Sequence, residues 1–263
     1  MSLIQFPPIS INLSFSYLYL SLFQYLTLLI SFNTPHFANQ SHSFSLFVPG
    51  AIKQFWIDKT QFKGQDCLIF MDNGNGLDYE KMHKMLSFGY SDKTVINGQH
   101  PIGLYGNGFK SGSMRLGRDA IVFSKSLDGD TMHVGMLSQS YLAQIKAEQI
   151  IVPIVSFQRV HKASLQDILY YSLFKTENEL LTELKAINST CSMGSSGTRI
   201  IIWSLRRTLT GQTEFDFTTS SYDIRIPLDV LESTSEQYRR SELLTKPESY
   251  YSLRVSISIV MLY

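Results

Sequence analysis

From residue 52 onward, short apolar runs alternate with polar, glycine-marked turns, and the spacing of the apolar positions assigns the runs to strands or helices. Ile52-Lys53-Gln54-Phe55-Trp56-Ile57-Asp58 and Asp66-Cys67-Leu68-Ile69-Phe70-Met71-Asp72 read as β-strands, joined by a loop carrying Lys59, Thr60, Lys63 and Gly64. Asp78 has the chemistry of a helix N-cap. Met82, Met85 and Leu86 follow at helical spacing, which predicts a helix to about Phe88 with His83 on its solvated side. A second helix is predicted from inside the glycine run 103–112, through Met114, Arg115 and Leu116, to a stop at Gly117.

Ala120–Phe123 and Met132–Leu137 predict a strand pair, with Asp128-Gly129 supplying turn chemistry between them. Tyr141 to Ala147 reads as a short helix and Gln149 to Phe157 as a strand. Leu165 to Phe174 and Glu177 to Ile187 are amphipathic helices, followed by the loop 188–196 and the apolar strand Thr198-Arg199-Ile200-Ile201-Ile202-Trp203. Alternating strands and helices of this kind make an α/β fold.

The two ends differ in texture. Residues 1–52 carry no Asp, Glu, Lys or Arg, so 1–50 form an uncharged hydrophobic leader. Within it, residues 9–32 are long and apolar enough to cross a bilayer, which takes ~20 residues. No Lys or Arg flanks the stretch and no small-residue cleavage site follows, which argues against a membrane span or a secretory signal; a degenerate leader or a buried segment are the other readings. Beyond Leu205 the composition turns polar, placing a boundary between about Arg207 and Tyr222. The expected organisation is a leader (1–50), a main domain (51–207) and the opening of a second domain (208–263) that breaks off in an apparent strand at Val260-Met261-Leu262-Tyr263.

Composition narrows the classes. A hydrophobic content of 44% with 17% charged residues excludes a disordered chain, and a net charge of +1 gives no global attraction to nucleic acid. Two cysteines, Cys67 and Cys191, are too few for a disulfide framework or a four-cysteine zinc site.

The chemistry concentrates between Asp66 and Gly112. The turn Asp72-Asn73-Gly74-Asn75-Gly76 and the run Gly103-Leu104-Tyr105-Gly106-Asn107-Gly108-Phe109-Lys110-Ser111-Gly112 each follow an apolar segment and precede a helical one, which describes a nucleotide pocket. Known loops fail on spacing. Phe109 separates Gly108 from Lys110 and breaks the G-x-x-x-x-G-K-S phosphate loop; Tyr79 stands where the dinucleotide fingerprint needs its third glycine. What fits is D-x-G-x-G, then G-x-x-G-x-G about thirty residues on, then Gly197-Thr198 leading into a strand.

In order, type and separation these resemble the adenine-binding and phosphate-lid motifs of the GHKL ATPases, which include gyrase, the heat-shock chaperone, histidine kinases and MutL. The wording of Lys84–Gly89, Gly103–Gly117 and Gly197–Trp203 is closest to the microrchidia (MORC) branch, among them the CW-type zinc finger MORC proteins. The resemblance covers about residues 51–263. It implies a Bergerat-type two-layer α/β sandwich with a mixed, largely antiparallel sheet, helices on one face, and the start of a transducer-like second domain.

On that resemblance, Asp72 accepts a hydrogen bond from the adenine amino group, where guanine offers a carbonyl. Gly74 and Gly76 leave room for the base. Gly103, Leu104, Tyr105, Gly106, Asn107, Gly108 and Phe109 turn backbone N–H groups toward the phosphates at a helix start. Lys110 adds a charge, Thr198 supports the adenine, and Phe88, Gly89 and Tyr90 line the pocket. Lys110, Arg115 and Arg118 have two further readings, a solvated helix face or a DNA-contacting patch.

The family's Glu-Leu-Ile-Asp-Asn-Ala run, whose glutamate activates water and whose asparagine holds Mg2+, has no counterpart. The family's spacing lands on Gln40 and Phe44, and no carboxylate precedes Asp58. The resemblance therefore implies an ATP-binding module with Mg2+ as the family's metal, its own ligand missing, and little hydrolysis. It also implies a nuclear location, action on chromatin or DNA, and a homodimer in the intact family form. A non-enzymatic interaction fragment with a vestigial pocket is the alternative.

Overall fold

The computed structural model describes residues 55–87, 108–127, 131–158, 162–189, 196–216, 218–220, 223–227, 230, 247–248 and 251–253. Six strands, β1 (Phe55–Phe62), β2 (Gln65–Asp72), β3 (Gly117–Lys125), β4 (Met132–Ser138), β5 (Ile154–Ser156) and β6 (Gly197–Leu205), form one sheet in the order β1-β2-β6-β3-β4-β5. All five pairings are antiparallel, so the described sheet contains none of the parallel pairing that a mixed sheet implies. Among the described residues five helices accompany it: α1 (Tyr79–Leu86), α2 (Gly108–Leu116), α3 (Gln139–Gln144), α4 (Lys162–Tyr171) and α5 (Glu177–Ser189).

β1 and β2 are a hairpin closed by Lys63-Gly64, both at positive φ (51° and 79°), the geometry of a tight two-residue turn whose twist matches its strands. The expected loop is thereby shortened, and Lys59 and Thr60 become strand residues. β5 is shorter than the strand expected over 149–157, because Pro153 just before it lacks an N–H for the ladder. At α1, Asp78 caps the helix as expected, its side chain accepting from the Lys81 amide at 2.8 Å. α3 begins earlier than expected, since the Ser138 hydroxyl accepts from the Tyr141 amide at 2.9 Å and serves as its N-cap.

The central strands are apolar on both faces, and both faces are covered. Leu68, Phe70, Ala120, Val122, Ile200 and Ile202 face one way, into a core completed by Met82, Met85 and Leu86 of α1 and Phe109 and Leu116 of α2. Ile69, Ile121, Phe123, Val134, Ile201 and Trp203 face the other way, against Tyr141 of α3, Ile168 of α4 and Leu180, Leu184 and Ile187 of α5. Helices on one face only was the expectation. The period-2 alternation explains the difference, because an uninterrupted apolar strand exposes half its side chains to water unless the second face is also packed.

Beyond β6, Phe215, Ile224, Ile226, Val230 and Leu253 join the core on the α1 and α2 side. Arg115 of α2 pairs with Glu214 at 2.7 Å, and the Lys59 ammonium donates to the Asp223 carbonyl at 3.0 Å. Residues 9–32 lie outside the described residues, among which no helix is long and apolar enough to cross a membrane. The expected turn at Asp128-Gly129 also lies outside them.

Truncating Ile201, fully buried on the central strand, removes contacts from the α4 and α5 side of the core. Ile201→Ala is expected to cost about 2–5 kcal/mol, read as a lower urea midpoint with an unchanged slope. A pH effect follows from His133, whose ring is buried and whose Nδ1 has no hydrogen-bond partner, while Nε2 lies 2.8 Å from the Thr131 hydroxyl. Burial pushes this imidazole below its ordinary value of 6.5, with nearby Asp78 opposing in part. The unfolded chain therefore takes up the proton first, so stability is complete above about pH 6.5 and declines as pH falls toward the folded value. Urea titrations at stepped pH check this: His133→Gln is expected to flatten that decline.

Candidate active site

The registers of β2, β6, β3 and β4 place Asp72, Thr198, Ser124 and His133 opposite one another, strand by strand. Directly opposed residues share a face. This polar row lies at the end of the sheet on the side of α1 and α2, one step beyond the apolar row Phe70, Ile200, Val122 and Gly135. All four of its side chains are buried, Asp72 at 1% exposure. A buried row of this composition relies on internal hydrogen bonds, and each member makes at least one, although the Nδ1 of His133 is left without a partner.

Asp72 ends β2. Its Oδ1 accepts from the Gly74 amide at 2.8 Å, which bends the chain out of the strand. The turn is then held from two sides. From the β3 side, the Ser124 hydroxyl accepts from the Leu77 amide at 2.6 Å, and the Asn75 carbonyl accepts from the Leu127 amide at 2.9 Å. From the β6 side, the Ser196 hydroxyl donates to the Gly74 carbonyl at 2.9 Å.

Two glycines are dictated by this packing. Gly76 has φ +67°, and a Cβ there would stand 2.0 Å from the Lys125 carbonyl oxygen. Gly197 has φ +153°, and a Cβ there would stand 2.2 Å from the Asp72 carbonyl oxygen. Both obstacles are backbone, so no side-chain rotation relieves them. The first and third sequence motifs thus meet at one end of the sheet.

The second motif is described only from Gly108. There α2 begins, and Phe109 is buried in the core beside α1. Lys110, read from the sequence as a phosphate-side charge or part of a solvated face, is neither exposed nor on a surface. It is 2% exposed, and its ammonium donates to the Ser87 carbonyl at 2.6 Å and the Met85 carbonyl at 3.2 Å. Those carbonyls close α1, the negative end of its dipole, where a cation is favoured. Burial pulls the ammonium down to about 8, so it stays charged at neutral pH. The helix-face pattern misled because Lys110 lies at the first turn of α2, where α1 covers it.

The possible DNA patch is correspondingly reduced: Lys110 is buried, Arg115 is paired with Glu214, and Arg118 is exposed. Phe88, Gly89, Tyr90, Gly103, Leu104, Tyr105, Gly106 and Asn107 lie outside the described residues. Cys67 is inert, its thiol pushed up to about 11 by burial. A cleft lined by Gly64, Gln65, Asp66, Ser204 and Leu205 sits at the opposite ends of β2 and β6 from the glycine turns.

Ser124 and Ser196 were not singled out in the sequence. A signal existed for each: Ser124 interrupts the apolar run Ala120-Ile121-Val122-Phe123, and Ser196 directly precedes Gly197-Thr198.

Residues 52–169 match the family described as histidine kinase-, DNA gyrase B-, and HSP90-like ATPases. Over 221 residues the chain is 55% identical to mouse MORC family CW-type zinc finger protein 3, covering 80% of this chain and 23% of that protein. It is 36% identical over 181 residues to Protein MICRORCHIDIA 4 of Arabidopsis thaliana, covering 62% of this chain and 22% of the relative. It is 35% identical over 181 residues to mouse MORC family CW-type zinc finger protein 1, covering 65% and 18%. The chain thus spans less than a quarter of the length of each. With the glycine turns joined across an antiparallel sheet, and with this identity, the chain belongs to the MORC family as part of its GHKL-type ATPase module.

Proposed function

We propose that this chain binds ATP at the end of the sheet where β2 and β6 meet. The observation that carries the reading is the Asp72 carboxylate: buried, oriented by the Gly74 amide, and in register with Thr198. A carboxylate held in this way accepts from an exocyclic amine and rejects a carbonyl, which selects adenine over guanine. Gly74 and Gly76 keep the wall of the site free of side chains, and the Thr198 hydroxyl supports the base.

The phosphates fall to the amino-terminal end of α2, where Gly108 and Phe109 contribute backbone N–H groups and the helix dipole favours an anion. On this reading Gly103, Leu104, Tyr105, Gly106 and Asn107 complete the phosphate side, and Phe88, Gly89 and Tyr90 the lining. Lys110 acts by tying the start of α2 to the end of α1. Mg2+ arrives on the triphosphate, a mode suited to an ion that keeps waters and phosphate oxygens as ligands. The family's asparagine ligand has no counterpart in the sequence, and among the described residues no three His, Cys, Asp or Glu side chains gather into a metal site.

Hydrolysis is proposed to be slow, because no carboxylate precedes Asp58 in the segment where the family carries its general base. Binding of ATP without efficient turnover makes the chain a nucleotide-dependent element of a nuclear, chromatin-directed protein that works as a dimer. Residues 208–263 are proposed to open its transducer-like domain.

Calorimetric titration with ATP and Mg2+ tests the site. Saturable binding with GTP at least ~10-fold weaker is expected, and Asp72→Ala should weaken ATP by a similar factor or more while GTP changes little. Loss of both the preference and the Asp72 effect would sink the reading. Turnover provides a separate check: phosphate release under saturating ATP should run ~100- to 10,000-fold below that of a GHKL ATPase with its glutamate in place.

A further inference from the structure

Ser124 touches both described motifs of the proposed ATP site without belonging to either. Its hydroxyl accepts from the Leu77 amide at 2.6 Å, at the close of the glycine turn, and donates to the Gly197 carbonyl at 3.1 Å, at the opening of β6. The Thr198 hydroxyl oxygen lies 3.4 Å away. The side chain is fully buried. A hydroxyl has one proton to give and lone pairs to receive, so a single Ser124 oxygen serves both segments at once.

The contacts on either side leave little slack. β6 is fixed against β2 by the close approach of Gly197 to the Asp72 carbonyl. The far end of the turn, three residues beyond Gly74, is anchored at Leu77. Asp72 sits at one end of this short circuit and Thr198 at the other, with Ser124 closing it.

We infer that Ser124 is a positioning residue for nucleotide recognition, setting the separation of the Asp72 carboxylate and the Thr198 hydroxyl so that both meet the adenine edge. The inference rests on the ATP reading above. It predicts that removing the hydroxyl loosens the turn and lowers base affinity, although Ser124 itself is fully buried behind the turn and β6. A role confined to stability would lower the unfolding free energy of Ser124→Ala and leave the affinity of the folded fraction intact.

The test uses the full 263-residue chain and its Ser124→Ala, Ser124→Thr and Asp72→Ala variants, titrated with ATP and GTP, with hydrogen exchange followed at the Leu77 amide. Ser124→Ala is expected to bind ATP about 3- to 10-fold more weakly and to exchange the Leu77 amide faster by a comparable factor. Ser124→Thr, which keeps the hydroxyl, is expected to stay within about 2-fold of the parent in both. Unchanged ATP affinity in Ser124→Ala overturns the inference. So does equal weakening in Ser124→Thr, which would assign the effect to packing. A parent chain that binds no ATP, or an Asp72→Ala variant that binds it normally, brings down the nucleotide reading itself, whereas an intact Asp72 effect beside an inert Ser124→Ala brings down only the positioning role.

Discussion

Everything at the site depends on strand β6 lying between β2 and β3. That position is antiparallel to both neighbours, and it makes one row of Asp72, Thr198 and Ser124 from three distant parts of the chain. It also sets a steric condition at the first residue of β6. Gly197 passes so close to the end of β2 that any Cβ would penetrate the Asp72 carbonyl, and its φ lies where side-chain-bearing residues are strained. With a larger residue there, β6 would have to shift at the point where the polar row begins.

The same insertion explains why the sheet holds a polar end at all. Inside the sheet, β2, β6 and β3 bury apolar side chains on both faces, and this drives assembly through the ordinary hydrophobic term. At the last row the pattern changes to acid, hydroxyl, hydroxyl and imidazole. Burying these groups opposes folding unless each finds partners. The partners come mostly from main-chain groups of the glycine turn and of β6, so the turn and the row stabilise one another. The hydrogen bonds that join the turn to the row are made without a ligand, so this end of the sheet has less left to order on binding.

Much of this was legible in the sequence, and the limits have physical causes. The helix at Asp78, the strand pair β3 and β4 and the glycine turn at Asp72 are local features, written in caps, alternation and turn chemistry. The insertion of β6 between β2 and β3 is not local, because no short-range pattern states that strands so far apart in the chain pair, Asp72 with Thr198 and Lys125 with Gly197. Coverage of both sheet faces was available from the uninterrupted apolar runs, yet it depended on recognising that such strands need two packed layers. Lys110 was misplaced for a related reason: helical periodicity gives the face of a residue on its own helix, and not the neighbour that covers it. Ser124 and Ser196 read as ordinary polar interruptions until the register put them against the turn.

The contrast between Lys110 and Ser124 bears on how the two halves of the proposed site are held. At the α2 end a buried ammonium satisfies the carbonyls that α1 leaves open, an arrangement in which two hydrogen bonds offset part of the cost of taking the charge out of water. At the sheet end a neutral hydroxyl joins turn to strand, so that interaction is insensitive to pH over the range where proteins fold. Because burial holds Lys110 near 8, below its ordinary value of 10.5, the charged form is the one the fold disfavours: between about pH 8 and 10.5 the folded chain gives up the proton while the unfolded chain keeps it, so this group's contribution to stability rises across that window. The neutral amine still has two N–H groups to give the Met85 and Ser87 carbonyls, so neither tie is expected to loosen as pH rises through 8.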